Sequence, residues 1–182
     1  MIGPGLGQEA GAERLLDLVL QEAKKLPELP VVIDADGLNL LAKKRLYSTL
    51  GRQYVLTPHL REMSRLSGKS VQEIADDMTS AVMGQQAGAT IVLKDARTLV
   101  SDGDWLYINL SGNSALSTGG SGDVLSGMIG GLLAQGCTQR TAATLAVYMH
   151  GLTAEKYCES APPHCMLARD ILEMIPKIGG NS

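Results

Sequence analysis

Apolar positions follow two rhythms along the chain. Between Glu13 and Leu26 they fall at 15, 16, 18, 19, 20, 23 and 26, the stripe of an amphipathic helix with lysines near its C-terminal end. Elsewhere they form short β-branched runs that stop at a polar residue. "VVI" at 31–33 stops at Asp34, "YVL" at 54–56 stops at Thr57-Pro58-His59, and "TIVL" at 90–93 stops at Lys94. Runs of this kind read as buried parallel strands. Thr98–Ser101 and Trp105–Ile108 read as two more strands, with "SDGD" as the hairpin turn between them. Helical patterns fill the gaps. One spans 70–88, with Ser70 as N-cap and Glu73 completing a capping box. Another runs from about Asp123 to Gln135, a long Ala-rich one lies within 138–160, and a last one within 166–178. "APPHC" at 161–165 reads as a loop.

Strands alternating with helices predict an α/β fold with a mostly parallel sheet. In such sheets ligands bind beyond the carboxyl ends of the strands. Asp34, His59 and Lys94 each fall at such an end. With 182 residues and no repeat or linker, the chain is expected to be one domain.

Composition narrows the function. Aromatics are 3% of the chain, Phe is absent and the net charge is −3, so nucleic acid is not an expected partner. No apolar run approaches the roughly 20 residues of a membrane span, and the first residues lack a signal-peptide pattern, which makes the cytoplasm the expected location. The three cysteines, Cys137, Cys158 and Cys165, have neither disulfide-framework nor zinc-site spacing.

The candidate chemistry lies in "TGGSGDVLSG" at 118–127. Val124, Leu125, Met128, Ile129, Leu132 and Leu133 mark one face of the helix that follows. The glycines therefore stand at a helix N-terminus, where free N–H groups and the dipole favour an anion. Asp123 would repel that anion, but it makes sense as a base taking a proton from a hydroxyl that attacks phosphorus. The alternative is that the glycines only make a tight turn and Asp123 only caps the helix. Asp34 and Asp36 are likewise open to two readings, as caps of the following helix or as site residues, and His150 reads as a packing or hydrogen-bonding residue in mid-helix.

These motifs resemble the ribokinase-like superfamily, and within it the ADP/ATP-dependent NAD(P)H-hydrate dehydratases. The matching segments run in order: "GPGLG" (3–7), "DADGLNLL" (34–41), "TPH" (57–59) with "EMSRL" (62–66), "VLK" with Thr98, "GN" (112–113), the glycine loop and "HG" (150–151). The resemblance implies a three-layer α/β/α domain lacking its N-terminal part, so that residues 1–182 are one partial domain. It implies a reaction in which a nucleotide phosphoryl group is placed on the C6 hydroxyl of hydrated NADH or NADPH and phosphate is then eliminated. Asp123 would be the base. Gly120 and Gly122 would form the anion hole. Lys94, Asp95, Ala96, Arg97, Thr98 and Gly122 would hold ADP or ATP. Gly7, Asp34, His59 and Asp123 would contact the hydrated nucleotide. Mg²⁺ would shield the phosphates, with Asn39 and Glu62 near its water shell. A homo-oligomer, tetrameric in bacterial relatives, is also implied.

The chain departs from the pattern in places. Leu60 and Arg61 stand where the family usually has Pro and Gly, and Asp95 stands where it has Gly. Without the N-terminal strands, one sheet edge is expected to be open. Two rival readings share the glycine loop. A ribokinase-like small-molecule kinase would make a stable phosphorylated product, and a non-catalytic nucleotide-binding remnant would bind without turnover.

Overall fold

The apolar runs pair into one five-stranded sheet in the computed structural model, which describes residues 1–83 and 88–179. The strands are β1 (Val31–Ile33), β2 (Tyr54–Leu56), β3 (Thr90–Leu93), β4 (Leu99–Ser101) and β5 (Leu106–Ile108), and they lie in chain order. β1, β2 and β3 are parallel, and β4 and β5 each pair antiparallel with the strand before. Four of the five strands therefore run the same way. The outer side of β1 carries a parallel bridge from Ile2 to Ile33. The expected hairpin is present, with Gly103 in the left-handed region at φ 96°.

Helices cover both faces. α1 (Ala10–Lys25), α2 (Ala35–Lys43), α3 (Leu60–Ser67), α4 (Val71–Asp76) and α5 (Met78–Met83) pack on one side, against Val31, Ile33, Tyr54, Leu56, Ile91 and Leu93. α6 (Ser121–Ala134) and α7 (Gln139–Cys158) pack on the other, against Val32, Val55, Val92 and Val100. Side chains alternate between faces along a strand, so each short β-branched run feeds two cores and is buried throughout. α8 (Ala168–Ile178) closes a small third cluster with Met166, Ala154 and Ala115. The layers are α/β/α, as expected.

Boundaries moved where local polar bonds compete. The helix expected over 70–88 is two helices within the described residues. It breaks at Asp77, whose carboxylate accepts the N–H of Ser80 and restarts the chain as α5. The end of that expected helix, at 84–87, lies outside the described residues. The Ser70–Glu73 capping box forms as the spacing predicts. α1 starts three residues before Glu13, and β4 and β5 each start one residue late. Within "APPHC", Pro163–Cys165 makes one 3₁₀ turn.

Candidate active site

The carboxyl ends of β2 and β3 open into a cavity of about 760 Å³, within the size range of small-molecule sites. Its walls are His59, the β3–β4 connection, the loop after β5, and the N-terminal turn of α6 with Val147 and His150 behind it.

His59 is the N-cap of α3. Its Nδ1 accepts the Glu62 N–H at 3.1 Å, and Glu62 Oε2 accepts the His59 N–H at 2.9 Å. Nδ1 is therefore an acceptor, and in the neutral ring the proton sits on Nε2. The imidazole is held by its own helix start while its side chain stays half exposed.

Lys94 ends β3, where its N–H bonds the Pro58 carbonyl at 2.8 Å. Its Nζ donates to Asp34 Oδ1 at 2.9 Å. Asp34 is 1% exposed and also accepts the Ala35 N–H at 2.8 Å. It is thus both the cap of α2 and the counter-ion of a cavity lysine. Its second oxygen accepts the hydroxyl of Ser126 at 2.5 Å, and Thr57 lies 3.3 Å from that hydroxyl.

α6 begins at Gly120, whose φ of 85° is left-handed and favours glycine. The Ser121 N–H bonds the Thr118 carbonyl, while helix geometry gives the N–H groups of Gly122 and Asp123 no acceptor inside the helix. A Cβ on Gly122 would stand 3.2 Å from Lys94 Nζ, so this glycine lets the ammonium approach the helix start. A positive helix end and a lysine meet at one point, a pair of features suited to phosphate.

His150 lies behind that turn. Its Nε2 is 3.1 Å from the Ser121 carbonyl and 3.2 Å from the Ser121 hydroxyl. A carbonyl can only accept, so Nε2 carries the proton. Burial pushes the imidazole pKa down to about 4, the Lys94 charge adds to this, and the Ser121 carbonyl opposes it. The ring is neutral at ordinary pH.

The structure brings His59, Lys94, Asp95, Ala96, Thr98 and Gly122 onto one cavity, with Gly120 capping its helix and Asp34 beneath Lys94. Arg97 is exposed and outside the lining. Asp123 is the third residue of α6; it is exposed and does not line the cavity. Gly7 lies apart, its N–H bonded to Asp36 Oδ2 at 3.0 Å, which makes Asp36 the anchor of the "GPGLG" loop. Neither expected metal-shell residue lines the cavity. Asn39 Oδ1 accepts from Arg65 at 2.7 Å, and Glu62 is buried in the His59 capping box. Sequence reading missed Ser121, Ser126, Thr57, Asn109 and Ser111. The available signal was Ser126, a hydroxyl on the apolar face of α6.

The chain is similar to known proteins along most of its length. A sequence model of the NAD(P)H-hydrate dehydratase family matches residues 1–177. An ADP-dependent (S)-NAD(P)H-hydrate dehydratase of Neisseria meningitidis is 43% identical over 167 residues, covering 88% of this chain and 55% of that protein. The crystal structure of the ADP/ATP-dependent NAD(P)H-hydrate dehydratase from Bacillus subtilis, co-crystallized with ATP/Mg²⁺, superposes with a TM-score of 0.82 at 31% identity, over 98% of this chain and 62% of that one. A hydroxyethylthiazole kinase from Pyrococcus horikoshii shares the fold, with a TM-score of 0.76 at 21% identity over 95% of this chain and 69% of that one. The chain spans 34% of the length of a curated relative from Coxiella burnetii and 62% of one from Bacillus subtilis. With the motifs in order from "GPGLG" to "HG" and the glycine loop at a helix start over a cavity, the chain belongs to the NAD(P)H-hydrate dehydratase family.

Proposed function

We propose that the chain dehydrates hydrated NADH or NADPH with ADP as phosphoryl donor, ATP being the alternative. One observation carries the reading. In a chain of this family, a glycine-formed helix start, a lysine held against it and a strand-end histidine converge on one cavity. The N–H groups of the first turn of α6 and the Lys94 ammonium hold the transferring phosphoryl oxygens. The 94–98 segment flanks the rest of the adenine nucleotide. His59 and Gly7 contact the hydrated nucleotide.

Asp123 is exposed in the same turn of α6, where an acceptor arriving from solvent can reach it while the donor lies in the cavity. Its carboxylate takes the proton of the C6 hydroxyl as that oxygen bonds to phosphorus, and the bond from phosphorus to the departing AMP oxygen breaks. Phosphate then leaves C6 with the bonding pair, and loss of a proton from the adjacent ring carbon restores the dihydropyridine. Among the described residues, no group of three or more His, Cys, Asp or Glu side chains is placed to cage a metal. Mg²⁺ would enter on the nucleotide phosphates with its own waters, where Asp95 is the cavity carboxylate, and would shield phosphate charge.

No described helix is long and apolar enough to cross a membrane. A cytoplasmic setting and assembly into a homo-oligomer belong to the same proposal. The apolar side chains of Leu15 and Leu18 on α1 and of Leu145 and Tyr148 on α7 stand exposed as candidate contacts, and light scattering counts the protomers.

The test is the return of reduced-nicotinamide absorbance when hydrated NADH is mixed with the chain, Mg²⁺ and ADP or ATP, with Asp123→Asn as control. Nucleotide-dependent recovery that the variant loses supports the reading. A stable phosphorylated product points to a kinase, and nucleotide binding without recovery points to a binding module.

A further inference from the structure

We infer that Ser126 is a positioning residue for the phosphate end of the cavity: from the second turn of α6 it clamps Asp34, and through Asp34 it holds the Lys94 ammonium against Gly122. This rests on the nucleotide reading given above. Ser126 is fully buried, at a place where the neighbouring Leu125, Ile129 and Leu133 pattern would accept any small apolar residue. A buried serine in a helix ordinarily turns back to the carbonyl four residues earlier. Here that carbonyl, of Gly122, lies 3.1 Å away, yet Asp34 Oδ2 lies at 2.5 Å. A hydroxyl has one proton, and the nearer, charged acceptor takes it. Thr57 Oγ1, 3.3 Å from Ser126 Oγ, is then the donor of that pair. The order of donation is Thr57 to Ser126 to Asp34.

The other oxygen of Asp34 receives the Ala35 N–H and Lys94 Nζ. The carboxylate, itself buried, is thereby held from both sides, by α2 and α6. Lys94 spends one of its three protons on it, and its side chain lines the cavity with the others available to a phosphate oxygen. Without the Ser126 hydroxyl, Asp34 Oδ2 loses its clamp and the carboxylate turns. The ammonium turns with it, away from the helix start. Asp34, Ser126 and Thr57 do not line the cavity themselves, so their effect on a ligand passes through Lys94.

Titration calorimetry with ADP and with adenosine tests this on the parent chain, Ser126→Ala, Lys94→Met and the double variant. Ser126→Ala is expected to weaken ADP roughly tenfold, as loss of a charge-assisted bond implies, to leave adenosine unchanged, and to add nothing once Lys94 is gone. A second readout needs no nucleotide. Acylation of Lys94, measured by peptide mass spectrometry against the surface residue Lys156, is expected to change at least about threefold in Ser126→Ala. A merely structural serine would lower the melting temperature without moving either ratio. If Ser126→Ala does not fold, Ser126→Cys, close in shape and a poor donor, replaces it. Unchanged ADP affinity, an equal loss with and without Lys94, or unchanged Lys94 acylation overturns the inference. If the parent binds no ADP, the nucleotide reading falls and takes the phosphate part of this inference with it, while the acylation ratio still decides whether Ser126 positions Lys94.

Discussion

Lowering the pH should destabilise this protein through His150 before its carboxylates become important. The imidazole is 7% exposed, and in the folded chain its pKa lies at about 4 against an ordinary 6.5. As pH falls below 6.5 the unfolded chain takes up the proton and the folded chain does not, so unfolding is favoured; the penalty grows down to about pH 4 and then levels off. The full span is worth about 3 kcal/mol at roughly 1.4 kcal/mol per pKa unit, and about 2 kcal/mol of it falls between about pH 7.5 and pH 5. Loss of that size is a sizeable part of a domain's stability.

Urea unfolding across that range measures it, with His150→Gln as reference, because a glutamine amide can still donate to the Ser121 carbonyl and does not titrate. The parent should lose about 2 kcal/mol relative to the variant, with the same denaturant slope in both. Parallel stability curves for the two proteins would refute the reasoning. So would an imidazole NMR titration in the folded state with a midpoint near the ordinary value.

Gly122→Ala should weaken ADP binding severalfold, because its methyl group meets Lys94 Nζ at 3.2 Å. Its thermal stability should stay level or rise by up to about 1 kcal/mol from the better helix former, so binding would weaken with no loss in melting temperature. Ile129→Ala should cost about 3 kcal/mol in urea unfolding, since the side chain is fully buried between α6, α7 and the sheet. Glu62→Ala should cost about 1 kcal/mol in urea unfolding by removing one half of the His59 capping box, while the backbone N–H at position 62 keeps its bond to His59 Nδ1 and the ring stays in place.

Much of the fold was legible because its signals are local. A strand that feeds two cores must be apolar at consecutive positions, so "VVI", "YVL" and "TIVL" announce themselves, and the polar residue that follows marks where the core ends. The Ser70–Glu73 capping box and the glycines at the start of α6 are likewise set by neighbours within one turn. Even the local reading failed at Asp77, where a side chain competing for a backbone N–H broke a helix that periodicity alone would continue.

The site divides along the same line. The chain by itself determined that an anion-seeking helix start, a lysine and a histidine occur at element ends. Only the tertiary structure decided which of them meet. Asp34 reaches Lys94 across 60 positions and Ser126 across 92, contacts made because β1 and β3 end, and α6 begins, at the same end of the sheet. His150 reaches Ser121 because α7 packs beside α6, and that packing turns a mid-helix histidine into a neutral one. It also placed Gly122 on the cavity wall and left Asp123, its neighbour, exposed outside the lining. Periodicity reports which face of an element is buried, and it carries no information about which distant polar group the fold will bring against that face.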